Sequence, residues 1–428
     1  MPRETVGAMS GENAGMTKGS AESVGMNAAR LERIGPAMQA YVDRGIYAGV
    51  STIVARRGVV VHEGQYGFRD REAGLPMTED TIFRLYSMTK PIVCTALMTL
   101  FEEGRFRLID PVARYVPSLA GLKVLQAYGT LADPKRPVVV RDVLAHTSGL
   151  SYHFLEDTPV GRMYADSKLI NPKVPLAEAI DDLARYPLAF EPGSRWHYSV
   201  GIDVAARVIE AISGQTLADF LRERLIEPLG MIGTAFAVSE GKRNRLAAMY
   251  GRPDLVAPGQ TLNNSFAQWL GGFNERIDVM QTYPVDMAAT FQRGGHGLFG
   301  TARDYFRFAQ MLANGGELEG VRILGRKTLE LMHVNHLPLS LLPLAVDGLP
   351  LPGYGFGLGS RVALDVAQTG APGSAGEFGW SGAAKTHYWV DPVEQVVGVF
   401  MTQSMSSFDL PELDLRSLAY GAIVDQNR

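Results

Sequence analysis

Phe83-Arg84-Leu85-Tyr86-Ser87-Met88-Thr89-Lys90, running on through Pro91-Ile92-Val93-Cys94 to Gly104, decides how the rest of this chain is read. Proline is tolerated only in the first turn of a helix and glycine favours the position just past its end, so a helix is predicted from about Ser87 to Glu103. Ile92, Val93, Ala96, Leu97 and Leu100 mark that helix as buried. Ser87 and Lys90 are three residues apart, which places both side chains on one face, about 5–6 Å apart at Cβ. A serine hydroxyl is a weak nucleophile until a neighbouring base takes its proton. Lys90 can be that base if burial disfavours its ammonium form, and the helix N-terminus favours negative charge developing at Ser87. A capped surface helix can show the same S-x-x-K spacing, so chemistry requires support from elsewhere in the chain.

Outward from this helix, Val50 to Val54 and Val59 to His62 flank Arg57-Gly58, which predicts an antiparallel hairpin. Before it, Leu31, Ile34, Met38, Tyr41 and Val42 recur at helical spacing, giving a helix that starts near Asn27. From about 110 to 316 the pattern is mainly helical, punctuated at Asp110-Pro111, Glu191-Pro192-Gly193 and Ser213-Gly214. Val204 to Ile212 and Leu217 to Leu225 read as amphipathic helices, and Thr301 with Asp304 as a capping-box variant. Strands return at Phe356 to Val362, Ala383 to Val390 and Gln395 to Thr402, before a closing helix around Leu413 to Asp425. Strands at both ends with helices between them predict one α/β layer built from the two termini and carrying a helical insertion.

The 428 residues are 46% hydrophobic and 20% charged, which excludes a disordered chain. With 41 basic and 45 acidic side chains the net charge is −4, so no basic field attracts nucleic acid or anionic lipid. Cys94 is the lone cysteine, which rules out an internal disulfide and a cysteine-based zinc site. Residues 1–22 lack the apolar core of a secretory signal and no later run resembles a membrane span, so the expectation is a flexible tail on a cytoplasmic, unexported chain.

A second region supports the chemistry. After the loop Phe190-Glu191-Pro192-Gly193 come Trp196-His197-Tyr198-Ser199-Val200-Gly201 and then a helix near Ile202. Tyr198 is thus expected just outside a helix N-terminus, where a phenolate is favoured by the dipole and by a cationic Lys90. Tyr198 is then a candidate general base, or shares one proton with Lys90; packing a loop is the plainer role for such an aromatic residue.

With these residues in hand, the chain resembles the serine β-lactamase and penicillin-binding protein superfamily, most closely the family VIII carboxylesterases with a class C β-lactamase fold. The resemblance is carried by Phe83–Lys90, Leu108-Ile109-Asp110-Pro111-Val112, the stretch from Val140 to Leu150 containing His146-Thr147-Ser148-Gly149, Pro192-Gly193 before Tyr198, and Gly300–Asp304, over roughly residues 25 to 425. It implies an α/β (α+β) serine β-lactamase-like fold, an antiparallel sheet flanked by helices. The expected division is a single catalytic unit over 23–428, with an α/β subdomain of about 23–115 plus 317–428 and a helical subdomain of about 116–316.

The resemblance also implies roles. Trp380-Ser381-Gly382-Ala383 matches the strand that carries K-T-G in β-lactamases, so Trp380, Ser381 and Gly382 are expected to contact substrate and the amides of Ser87 and Ala383 to form an oxyanion hole. Gly382 would let the strand approach the acyl group, although a bulge also explains a strand glycine. The β-lactamase Y-x-N pattern reads Tyr198-Ser199-Val200, and Trp380 stands in place of the K-T-G lysine; Lys385 is expected on the opposite strand face. Both departures favour a neutral, apolar ester over a carboxylate-bearing substrate.

The expectation is therefore a serine carboxylesterase acting on a small-molecule ester through an acyl-enzyme on Ser87, with Tyr198 and Lys90 relaying the proton, without metal or cofactor, and with β-lactam hydrolysis as a side activity. A β-lactamase or DD-peptidase, an acyltransferase of the same fold, and a non-catalytic binding or assembly protein are the alternatives. No serine sits in G-x-S-x-G, so the α/β-hydrolase elbow is absent. Gly295-His296-Gly297-Leu298-Phe299-Gly300 matches G-x-G-x-x-G without a leading strand or a following acidic partner and reads as close packing near the site. His333 and His336 lack further metal ligands. The long apolar connections Leu337–Leu351 and Phe266–Phe273 are expected either to wall an acyl pocket or simply to pack over the core.

Overall fold

Arg57 and Gly58 both take positive φ, 51° and 76°, the backbone twist that suits a two-residue hairpin, and they turn β1 (Gly49–Arg56) into β2 (Val59–Asp70). The remaining strands of the main sheet are β3 (Leu75–Pro76), β4 (Tyr354–Phe356), β5 (Arg361–Ala363), β6 (Phe378–Gly382), β7 (Thr386–Asp391) and β8 (Val396–Met401). Their spatial order is β4-β5-β6-β7-β8-β1-β2-β3, antiparallel throughout. The two ends of the chain meet where β1 pairs with β8, with Ile53 opposite Val399. This is a computed structural model, and it describes residues 16–251, 254–263, 275–405 and 410–425.

The central strand β8 is buried along its whole length, and its alternation sorts it between two layers. Val396 and Phe400 join α1 (Ile34–Asp43) and α5 (Pro411–Gly421) through Met38 and Leu415. Val397, Val399 and Met401 face the larger core with α2 (Thr89–Glu102) and α4 (Ala302–Ala313). On that side α3 (Gly201–Ser213) packs against α2. The expected α/β architecture, a large antiparallel sheet flanked by helices, is what the chain forms. Among the described residues no helix is long and apolar enough to cross a membrane.

Several local expectations are corrected. The tail expected over 1–22 is fixed from Thr17 onward: Val60 N–H donates to the Thr17 carbonyl (2.8 Å), Lys18 pairs with Glu63 (2.8 Å), and Ser20 caps a short turn over Ala21–Val24. Residues 1–15 lie outside the described residues. The helix expected from Asn27 is split into Ala28–Leu31 and α1. Phe356 to Val362 is not one strand but the end of β4, a turn and the start of β5, with Gly357 N–H bonding the Ser360 carbonyl (2.8 Å) across the turn. Ala383 to Lys385 is likewise a turn, with Lys385 at φ 60°, so Lys385 does not occupy a strand face. The helix expected to reach Leu225 changes to a π turn at Arg222–Ile226, and the closing helix ends at Gly421. Thr301 caps α4, but the Asp304 carboxyl accepts from Gly233 N–H (2.8 Å) and Thr234 Oγ1 (2.9 Å), so no reciprocal box forms. Leu337–Leu351 is not a plain connection, since Leu344–Val346 and Leu349–Leu351 pair as a hairpin.

Candidate active site

Ser87 lies on a tight turn, Tyr86–Met88, that leads directly into α2. Tyr86 has φ 47°, a strained conformation for a bulky residue, and its buried ring is held against Tyr283 with centroids 4.7 Å apart. One turn on, the Lys90 ammonium donates to Ser87 Oγ (3.0 Å) and to the Gly295 carbonyl (2.7 Å). It also lies 4.7 Å from the ring centre of Tyr198 and 5.2 Å from that of Tyr152. Lys90 is 1% exposed, so its contacts are almost entirely with protein. The expected nucleophile and base therefore meet, through a local spacing that needs no long-range contact.

Tyr198 arrives from the other side of Ser87. Its hydroxyl lies 2.7 Å from Ser87 Oγ, two residues ahead of the cap of α3. The Val140–Leu150 stretch supports it from beneath. His197 N–H bonds the His146 carbonyl (2.8 Å), and the His146 ring rests against Tyr198 with centroids 4.9 Å apart. Gly201 is required at the start of α3, because a Cβ there would come within 2.5 Å of the Val143 carbonyl oxygen. Trp380 is 5.5 Å from Tyr198 and 5.2 Å from Phe356 between ring centres. Among the described residues its indole N–H is buried without a partner.

The end of β6 docks on the turn that carries Ser87. Thr386 Oγ1 donates to the Leu85 carbonyl (3.2 Å), and a Cβ on Gly382 would sit 2.4 Å from that same oxygen. Gly382 thus lets the strand approach the backbone ahead of Ser87, and it also lines the cavity at Ser87. Among the described residues β6 has no partner on its β5 side beyond Phe378 and Gly379, so Trp380–Gly382 leave a strand edge open there. Ala383 follows in the turn.

Two cavities meet at Ser87, and both are lined by Ser87 and Ala383. The larger, about 390 Å³, extends past Tyr198, Trp380, Ser381 and Gly382, with Leu255, Leu262, Val346 and Leu351 as an apolar wall. The smaller, about 40 Å³, is lined by Tyr152, Phe154, Leu169 and Val200. The Leu337–Leu351 segment therefore contributes to a wall, whereas Phe266–Phe273 lies outside the described residues.

Residues that sequence reasoning passed over complete the site. Asp203, fully buried on α3, accepts from Gly295 N–H (3.0 Å); burial raises its carboxyl above the usual range, while that N–H and the nearby Lys90 charge oppose the rise. Gly295 is thus held by Asp203 through its N–H and holds Lys90 through its carbonyl, and a Cβ on it would meet Asp203 and Tyr152 within 2.7 Å. The glycine-rich stretch 295–300 is close packing. His333 stacks on Phe378 at 3.6 Å and donates to the Leu329 carbonyl, while His336 donates to the Leu331 carbonyl.

The profile of the family described as Beta-lactamase matches residues 36–422. The chain is 33% identical over 371 residues to Esterase EstB of Burkholderia gladioli, covering 85% of this chain and 87% of that one. Among solved structures, "EstCE1, a hydrolase with promiscuous acyltransferase activity" superposes with a TM-score of 0.78 at 28% identity, covering 92% of this chain and 99% of the other. A structure described as a family VIII carboxylesterase has a TM-score of 0.68 at 22% identity over 93% and 99% of the two chains, a likeness of fold.

Proposed function

The chain belongs to the beta-lactamase family, and from that premise we propose that it is a serine carboxylesterase in which Ser87 Oγ attacks the carbonyl carbon of a short-chain ester. The observation that carries this reading is the convergence of Lys90 Nζ and the Tyr198 hydroxyl on one atom, Ser87 Oγ, at 3.0 and 2.7 Å. A group that gains nucleophilicity must lose its proton as it attacks, and these are the two groups within reach of it. In the proposed sequence Tyr198 and Lys90 share one proton fewer than a phenol and an ammonium would hold between them, and the Ser87 proton passes to that pair as the new C–O bond forms. The carbonyl oxygen becomes an oxyanion bound by the amides of Ser87 and Ala383. Collapse breaks the bond to the alcohol, which takes the proton; water, deprotonated by the same pair, then bonds to the acyl carbon, the Ser87 Oγ–C bond breaks, and the pair returns its proton to Ser87 Oγ as the acid leaves.

Ser87 and Ala383 border both cavities, which supports an arrangement with the reacting carbonyl at the junction and one half of the ester on each side. The smaller cavity suits a short acyl group, and the larger takes the alcohol half. Trp380 offers an aromatic face and one N–H where a substrate-binding cation would recognise a carboxylate, which favours neutral esters. The likeness to EstCE1 supports a second outcome for the acyl-enzyme, transfer to an added alcohol. The compartment we propose is the reducing cytoplasm, in which the buried thiol of Cys94 needs no partner.

Labelling with a fluorophosphonate followed by peptide mass mapping tests the assignment. A phosphonyl adduct on Ser87 is expected, together with ester turnover well above nitrocefin turnover. No adduct would point to a silent scaffold, and faster nitrocefin turnover to a β-lactamase.

A further inference from the structure

Ser381 and His387 are directly opposed across the β6–β7 pair, and this register sets Ser381 Oγ 2.7 Å from His387 Nδ1. The other ring nitrogen, Nε2, lies 3.3 Å from Oε1 of Glu412, in the first turn of α5. All three residues line the larger cavity with Ser87. Ser381 and His387 share a hydrogen bond and the far nitrogen of the ring faces Glu412, so the proton positions follow from chemistry. A carboxylate oxygen only accepts, and Glu412 stands in the first turn of α5, where the helix dipole suits a carboxylate, so the ring nitrogen facing it carries the proton.

Burial pushes the His387 imidazole down to about 4, with Arg361, Lys385 and Arg416 adding to the effect and Glu412 opposing it. The ring is neutral near neutral pH, so the nitrogen facing Ser381 is bare and accepts the Ser381 proton.

We propose that Ser381, His387 and Glu412 form a fixed relay that presents Ser381 Oγ to the larger cavity as an acceptor only, and that the alcohol half of the substrate carries a hydroxyl that donates to it. The inference rests on the ester-hydrolase reading above and gives it a substrate class: short-chain acyl esters of glycols or other polyols. A carboxylate or ether oxygen at the same place would meet lone pairs with no proton between them, which disfavours it. Ser381 is here a specificity residue, and His387 and Glu412 are positioning residues that act through it.

The test compares kcat/KM for monobutyrate esters of ethylene, trimethylene and tetramethylene glycol, each beside its methyl ether, with propyl butyrate as the plain reference. At least one glycol ester is expected to exceed its ether by about fivefold, the size of one hydrogen bond. Ser381→Ala is expected to bring that ratio to about one. Glu412→Gln, whose amide can donate to the imidazole, frees the ring to adopt the other tautomer and lowers the ratio as well. Parent ratios all within about twofold of one, or a ratio that survives Ser381→Ala, overturn the proposal. A purely structural role would lower glycol ester and ether in parallel, leave the ratio intact, and so also overturn it. Failure of the parent to hydrolyse propyl butyrate or any other ester would instead overturn the esterase reading beneath it.

Discussion

Gly382 approaches Leu85 so closely that a Cβ on the glycine would lie 2.4 Å from the Leu85 carbonyl oxygen. This contact sets the distance between the end of β6, with Ala383 just beyond it, and the turn that presents Ser87. Gly382→Ala must push the two apart, because the Leu85 backbone stands in its way beside the Thr386 hydroxyl. A displacement of about 1 Å can cost about 10²-fold in rate. We predict a loss of that order in kcat/KM for p-nitrophenyl butyrate, measured well below the variant's Tm so that folded enzyme is compared with folded enzyme.

Tyr198→Phe keeps the ring contacts to His146, Tyr152 and Trp380 and removes only the oxygen 2.7 Å from Ser87 Oγ. If that oxygen relays the proton, kcat falls by about 10²- to 10⁴-fold. Thermal unfolding should be nearly unchanged, so a large drop in Tm together with modest loss of activity would assign the hydroxyl a structural role.

Lys90→Met preserves an unbranched side chain while removing the ammonium that bridges Ser87 Oγ and the Gly295 carbonyl. The expected loss in kcat is about 10³-fold or more, with some loss of stability because the Gly295 carbonyl is left unpaired. Residues acting as a unit are not additive. The double variant with Tyr198→Phe should therefore lie within about tenfold of the worse single variant, as steady-state kinetics would show.

How far the site could be read in the sequence depends on the range of each contact. Ser87 and Lys90 were legible because three residues of helix fix their meeting, and Tyr198 because a loop signal and a helix start bracket it. Lys385 was misplaced because a turn at Ala383–Lys385 interrupts what reads as one apolar strand. That same turn sets the register of Ser381 on His387, so the pair was hidden until the turn was located. Glu412 comes from α5, and Asp203 reaches Gly295 across 92 positions, contacts with no local signature. The β1–β2 hairpin was legible from Arg57-Gly58, whereas the division of Phe356 to Val362 into two strands follows from the Gly357–Ser360 turn.

Asp304 provides a prediction about stability. Burial pushes its carboxyl up to about 6 from an ordinary 3.8, even though Thr234 and Gly233 donate to it. The folded state therefore holds the proton more tightly than the unfolded state. Its stabilising contribution is complete below the unfolded value and is lost as pH rises through about 6, at a cost of order 3 kcal/mol. Asp304→Asn cannot titrate, so denaturant unfolding at pH 4 and pH 7 should show a smaller decline with rising pH than in the parent. An equal decline would mean that Asp304 does not contribute to it.

The central claim is that Ser87 is the nucleophile of an ester hydrolase, and Ser87→Ala tests it most directly through the initial rate of p-nitrophenyl butyrate hydrolysis. A loss of about 10³-fold or more is expected, with the fold intact by circular dichroism. A rate within a few-fold of the parent would contradict it.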